Sequence, residues 1–320
     1  MPKQYLLIIL FFTSSIPLFA QSESLLDELN AMEQKDSLSE IEKPKRDFVE
    51  NTFLGTRVIN GQSTEMLSKN ILEFNIAHRF GRVNGGWREF FGLDQASMRI
   101  GLQFAILGNL SVSIGRSTYL KTFDGFIKYK VLSQSKKNEN FKSIPLNITL
   151  FTATAIDTRK ELYPDDRPYK FNQRVSYTNQ ILISRKFNKW LSLQIAPTLV
   201  HYNIVLTPQD KNTLFLLGSG AMFSISQKFG ITAEYYARIN DYKNSDLHDA
   251  FALGFDYITG GHVFQIQVTN AQSMFESGFM RQTTGNFWKG DLHLGFNMTR
   301  NFSLGNKKKI KKETIETTQW

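Results

Sequence analysis

The chain has 320 residues, of which 13% are aromatic, with 27 Phe, 11 Tyr and no cysteine. Absence of Cys excludes a lipid-modified N-terminal cysteine, disulfide staples and thiolate-bound metal or iron–sulfur centres. The formal net charge of +9 would suit nucleic acid, but much of the excess sits in one terminal run, Lys307-Lys-Lys-Ile-Lys-Lys312, which reads as a solvated tail or a contact for an acidic surface.

The first residues carry Lys3, an apolar run Leu6–Phe12, a turn-forming Pro17 and a small residue at Ala20. That is the pattern of a secretory signal peptide, with cleavage expected between Ala20 and Gln21, and export argues against a nucleic-acid partner. No other segment approaches the roughly twenty uninterrupted apolar residues of a transmembrane helix, so any membrane crossing must use strands. Residues 21–52 are polar, with a short helical spacing of Leu25, Leu29 and Met32 ahead of the breaker Pro44, and are expected to form a flexible periplasmic lead-in. The glycine-punctuated stretch Phe53–Thr64 is placed to plug or line a barrel mouth.

Strand patterns then recur. Leu72, Phe74, Ile76 and Phe80 alternate with Glu73, Asn75, Ala77 and Arg79; Met98, Ile100, Leu102, Phe104 and Ile106 alternate with Ser97, Arg99, Gly101, Gln103 and Ala105. Further alternating runs fall at Leu110–Gly115, Phe123–Val131, Ile144–Thr154, Arg174–Phe187, Leu191–Val205, Thr213–Ile225, Ile231–Asn240, Asp249–Ile258, His262–Asn270 and Asp291–Phe302. In the last, Leu292, Leu294, Phe296 and Met298 point one way and Asp291, His293, Asn297 and Thr299 the other, since successive strand side chains face opposite sides. One face suits hydrocarbon and the other water. The spacing predicts a closed, antiparallel, up-and-down transmembrane β-barrel of about twelve strands, because a sheet satisfies its backbone in a bilayer only when it has no edge.

Connection lengths sort in the same sense. Short turns at Leu107–Asn109, Asn188–Lys189, Gln227–Gly230 and Thr259–Gly261 alternate with longer stretches at Gly81–Asp94, Ala155–Gln173, Asp241–His248 and Ala271–Gly290, as expected for periplasmic turns and extracellular loops. Glycine or asparagine is expected to supply positive φ in the short turns. Ser133–Lys142 is long for its side and breaks the pattern. A soluble all-β sandwich would also alternate, but it has no reason to sort its connections by length.

Several blocks resemble one family: Phe53-Leu-Gly-Thr-Arg-Val-Ile-Asn-Gly-Gln-Ser63, His78-Arg-Phe-Gly-Arg82, Phe91-Gly-Leu-Asp-Gln95, Tyr119-Leu-Lys-Thr-Phe-Asp-Gly125, Ala196-Pro-Thr-Leu-Val-His201, Thr259-Gly-Gly-His-Val-Phe-Gln265 and Lys289-Gly-Asp-Leu-His-Leu-Gly-Phe296. The family is the Bacteroidota β-barrel family known only as domain of unknown function 5777, and the resemblance covers about Phe53 to Phe302. It implies an outer-membrane-type barrel and supplies no activity, substrate or catalytic residue. The domain reading is therefore a signal peptide at 1–20, a lead-in at 21–52, a barrel at 53–302 and a basic tail at 303–320.

Chemistry-bearing motifs are sparse. His78, His201, His248, His262 and His293 show no local metal-ligand spacing, and no Gly-x-Ser-x-Gly elbow marks a hydrolase, so neither a cofactor nor an enzyme is expected. His293 and Arg79 are expected on adjacent inward faces, because the last strand pairs with the first. The acids Asp165 and Asp166 lie in a Pro-flanked loop with Arg159, Lys160, Arg167 and Lys170, read as salt-bridged and solvated. Trp190, Tyr202, Tyr235, Tyr257 and Trp288 suit interfacial girdles, and Trp87, Phe90 and Phe91 suit loop packing. The inward faces carry Arg79, Arg99, Lys128, Lys130, Glu234, Arg238 and His293 among Glu73, Gln103, Asp124, Gln180, Gln194, Asp256, Gln265 and Gln267. These lumen-lining candidates support either a narrow pore for small solutes, biased toward anions by Arg79, Arg99, Lys128 and Lys130, or a lumen packed shut by its own hydrogen bonds. A closed lumen would favour a non-conducting binding or scaffold protein. Expected partners are outer-membrane lipids, the barrel-insertion machinery and a small solute.

Overall fold

The computed structural model describes residues 45–160, 170–205, 210–240 and 246–305. The signal peptide, the Leu25–Met32 spacing, Asp165 and Asp166 and the basic run lie outside the described residues. Twelve antiparallel strands close on themselves: β1 (Ile71–Arg82), β2 (Ala96–Leu107), β3 (Leu110–Ser117), β4 (Thr122–Leu132), β5 (Asn147–Asp157), β6 (Val175–Lys186), β7 (Leu191–Tyr202), β8 (Thr213–Ser224), β9 (Phe229–Arg238), β10 (Ala250–Thr259), β11 (His262–Thr269) and β12 (His293–Ser303). Each strand pairs with its sequence neighbours, and β1 also pairs with β12, Ile76 standing opposite both Ile100 and Met298. No edge remains, which is what hydrocarbon demands of a sheet.

The wall is inside out relative to a water-soluble sheet. Ile100, Leu102, Ile127, Leu150, Ile195, Leu217, Phe255 and Phe296 are exposed on the outer face, whereas Glu73, Arg99, Asp124, Lys128, Gln194 and Glu234 are buried on the inner one. The strand period of two places both sets, and lipid as solvent reverses their usual exposure. Among the described residues no helix is long and apolar enough to cross a membrane.

Turn chemistry differs from the sequence expectation in a definite way. Of the four short turns only Thr259–Gly261 uses positive φ, at Gly260 (51°) and Gly261 (82°). At the β6–β7 turn the Asn188 side chain accepts from Trp190 N (3.0 Å) and Leu191 N (2.8 Å), and at the β8–β9 turn the Ser226 hydroxyl accepts from Lys228 N and Phe229 N (both 3.2 Å). A side-chain oxygen substitutes for a turn carbonyl there, so no left-handed residue is needed. The β3–β4 connection, at the end that carries the longer loops, is short as well.

The long β4–β5 connection has a structural cause. Gln134 and Ser135 form a small ladder with the incoming chain and with Ile144: Val49 N donates to Gln134 O (2.8 Å), Lys136 N to Asp47 O (2.9 Å) and Ser135 N to Ile144 O (2.9 Å). Arg46 donates to Lys142 O (2.9 Å) and lies over the Phe141 ring. Residues 46–52, expected to belong to a flexible lead-in, are thus paired into the barrel end. Trp87, Phe90 and Phe91, expected to pack within their loop, are instead exposed. Among these three rings the one ring contact is Trp87 edge-on to Phe90.

Candidate functional site: a plugged lumen

Thr52 to Leu67 enters the barrel and fills its centre. The segment is its own small hairpin: Val58 N donates to Gly61 O (2.8 Å), Ser63 N to Thr56 O (3.0 Å), and Glu65 Oε1 accepts from Thr52 N (2.8 Å) and Phe53 N (3.2 Å) across its base. At the tip, three successive backbone N–H groups converge on one wall carboxylate. Glu234 of β9 accepts from Ile59 N (3.2 Å), Asn60 N (2.8 Å) and Gly61 N (3.0 Å). Successive N–H groups in a turn form an anion-binding concavity, here occupied by a side chain of the same protein.

Other wall residues hold the hairpin from different strands. Arg79 of β1 donates to Asn60 Oδ1 (2.7 Å) and Asn297 Oδ1 (3.0 Å); Gln265 of β11 donates to Val58 O (2.8 Å); Asn297 of β12 donates to Ile59 O (3.0 Å); Gln194 of β7 donates to Gln62 O (2.7 Å). Lys128 of β4 places its ammonium on Thr56 O (3.0 Å), Glu65 O (2.8 Å) and Gln62 Oε1 (3.4 Å). Apolar contact adds to this where Phe53, Val58 and Ile59 pack with Met222 and Ala252. Small wall residues make the room: a Cβ at Gly220 would meet Val58 at 3.3 Å and one at Gly254 would meet Ile59 at 3.2 Å.

Nearer the loop end, the β11–β12 connection also folds inward. It carries a single helical turn, α1 (Glu276–Arg281), all six residues of which are buried. Phe279 and Met280 join Val200, Leu214, Leu216 and Tyr236 in an apolar cluster, with Phe279 edge-on to Tyr236 at 5.1 Å. One ionic contact ties this loop to the hairpin beneath it. Glu276 Oε1 lies 2.9 Å from Arg57 Nη2 and accepts from Gln62 Nε2 at 2.9 Å.

The expected inward residues occupy the inner wall, and those that do not hold the hairpin bond chiefly to the wall itself. Arg99 forms an ion pair with Asp124, with Nε on Oδ1 at 2.9 Å. Asp256 accepts from Thr232 (3.1 Å) and Gln265 (3.2 Å). Arg238 pairs with Asp249 (3.2 Å) at the loop end, and Lys130 is half-buried near the terminal end. His293 and Arg79 both face inward, yet they separate: the His293 ring bonds Phe80 O (2.8 Å), while Arg79 lies against Gly295, whose backbone offers the space. Of the two arrangements left open by the sequence, the contacts are those of a hydrogen-bonded lumen: Arg79 and Lys128 bond the hairpin and Arg99 bonds Asp124. Tyr202, expected in an outer girdle, instead faces inward beneath the Arg281 guanidinium at 4.7 Å. Among the described residues no group of three His, Asp or Glu converges as metal ligands.

Sequence reading missed Glu234 as an anchor, Arg57 and the inward course of α1. Parity marked Glu234 as inward, but nothing local identifies three backbone donors that arrive from residues 173 to 175 positions away. The run Ala271–Phe279 carried a usable signal, since Met274, Phe275 and Phe279 make it too apolar for a solvated loop.

No curated protein matches the chain. Among solved structures it is similar to the NanC porin (12% identity, covering 73% of this chain and 100% of that one, TM-score 0.43) and to the KdgM porin (8%, 73% and 99%, TM-score 0.41). It is also similar to OmpF of Salmonella typhi in complex with daunomycin (9%, 72% and 97%, TM-score 0.36). At such identities and scores these likenesses say nothing about cargo. Residues 53–302, hairpin included, match the family described as the membrane bound beta barrel domain, DUF5777, and the chain belongs to that family.

Proposed function

We propose that the protein is an outer-membrane barrel, closed at rest, that passes small polar solutes when the Thr52–Leu67 hairpin leaves the lumen. The observation that carries this reading is the polarity of the hairpin's seat. Glu234, Arg79, Lys128, Gln194, Gln265 and Asn297 hold it mainly through hydrogen bonds, and the same side chains would face water once it withdrew. A lumen filled for good has no need of charges, whose burial costs more than apolar packing. In this arrangement the loop end faces outward and the chain termini lie on the periplasmic side.

Single-channel recording of the refolded mature protein in a planar bilayer tests the reading. The native barrel should be silent apart from rare openings, and Glu234→Ala should raise their frequency by about ten-fold or more, since it removes bonds to a charged acceptor worth about 1.5–3 kcal/mol each. Silence from both proteins, each still heat-modifiable on gels and therefore folded, would transfer the assignment to a second reading. That reading is a non-conducting binding barrel, and the closed lumen itself favours it.

A further inference from the structure

On the outer wall, a polar side chain is left incompletely bonded. Asn179 is the fifth residue of β6 (Val175–Lys186) and is exposed on the face away from the lumen, between Tyr177 and Ile181. A strand needs about 9–11 residues to cross a bilayer, so this position lies inside the hydrocarbon. Thr152, its register partner on β5, donates its hydroxyl to Asn179 Oδ1 (2.9 Å). That bond uses one end of the amide. Among the described residues nothing accepts from Asn179 Nδ2, whereas Ser219, outward on β8, spends its hydroxyl on Tyr235 O (3.2 Å). The amide N–H bonds thus face hydrocarbon, where no water can satisfy them.

Asn179 and Thr152 stand in a groove of about 650 Å³ on that face, whose apolar lining includes Ile127, Leu150, Ile181, Pro197, Leu199 and Phe215. The ladder is interrupted beneath it: β6 and β7 pair at Gln180–Thr198 and at Ile183–Ile195, but not at Ile181–Pro197 or Leu182–Ala196 between them. Proline has no N–H for a ladder and is found in sheets at edges and bulges, yet this closed wall has no edge. Pro197, Thr152 and Asn179 keep the outward side chains short at this place. A convex barrel meets a neighbour along a narrow line, and short side chains on that line let two backbones approach closely.

The occupant of this face must bring a hydrogen-bond acceptor to the depth of Asn179. Acyl chains carry none, and the headgroup oxygens of a lipid lie in the interfacial regions outside the hydrocarbon. A second Asn179 does carry one. Its Oδ1 has a lone pair beyond the one that Thr152 uses, and its own Nδ2 needs an acceptor, so the amide is complementary to itself. Self-complementarity is what a two-fold axis requires of an interface. We propose that the outer face of β5–β7 is a contact between two copies of this barrel, with the two Asn179 amides paired reciprocally, Nδ2 to Oδ1, across a two-fold axis along the membrane normal, and Ile181 and Leu199 packed around them. The contact asks nothing of the hairpin and stands whether or not the barrel conducts.

Because the chain has no cysteine, single introduced cysteines report the contact without background. In lipid vesicles at low protein density, the refolded mature barrel carrying Ile181→Cys should give a covalent dimer with a short bis-maleimide, and Ile266→Cys, exposed on β11 at the far side of the ring, should not. Adding Asn179→Leu to Ile181→Cys should lower the dimer yield by about ten-fold, the effect of losing two amide bonds within a membrane. Leucine suits hydrocarbon, so that variant should stay folded and heat-modifiable on gels. No dimer from Ile181→Cys, equal yields from the two cysteines, or a yield that Asn179→Leu leaves unchanged would overturn the proposal. So would a monomer that keeps a lipid in native mass spectrometry and loses it on Asn179→Leu, since the groove would then belong to that lipid.

Discussion

At the scale of single residues, Glu234 is the most consequential side chain, because three donors of one turn depend on its two oxygens. Glu234→Ala leaves those donors buried, and unfolding in urea from detergent micelles should show a loss of about 3 kcal/mol, within the range for orphaned partners of a charged group. Gly61 faces a steric limit: an added Cβ would stand 1.9 Å from the Tyr236 hydroxyl, so Gly61→Ala should displace the tip and expose residues 58–62 to protease at the terminal end. At the rim, the Asn286 backbone N–H, then the Asn84 side chain and Arg82, hold the Asp291 carboxyl below the usual carboxylate range. A depressed folded value stabilises the native loop above the ordinary aspartate pKa and loses that contribution as pH falls through the folded one. Carboxyl NMR should therefore place the Asp291 midpoint below that of an ordinary aspartate, and Asn84→Ala should move it upward. Alternation marked most of the inward residues, Tyr202 excepted, which was expected on the outer girdle. What each one touches was not legible, since the partners of Glu234, Lys128 and Arg79 come from a segment with no strand period.

At the scale of elements, two pieces of irregular chain meet inside a regular wall through Arg57 and Glu276, both largely buried. Breaking a buried pair from one side leaves an unpaired charge and costs about 3–5 kcal/mol. Arg57→Met or Glu276→Gln alone should lower the unfolding midpoint markedly, whereas the double variant should recover much of the loss, a double-mutant cycle that reports their coupling. The strands themselves were readable because each is a period-two run between polar breaks, and their observed ends moved by only a few positions. The long β4–β5 connection was readable as an exception but not as a docking site, because the segment that pairs with it, Asp47–Val49, has no strand-like pattern of its own. Likewise, α1 is a single turn that gains its place from burial against Tyr236 and Leu216, not from helix propensity, which such a short segment cannot exploit.

For the whole molecule, closure is the condition of stability in lipid, and β12 supplies it by pairing with both β11 and β1. Truncation before His293 should leave two open edges and yield a protein that neither inserts into vesicles nor shifts on heating in gels. Twelve alternating strands, an apolar outer face and a polar inner face were all present in the linear pattern, because a strand's two faces meet two solvents and composition must follow. Whether the interior is a channel or a packed core was decided only by the fold. A polar inward residue looks the same whether water or a returning segment satisfies it, and the segments that return here, Thr52–Leu67 and the β11–β12 connection, bind through backbone groups that every sequence possesses.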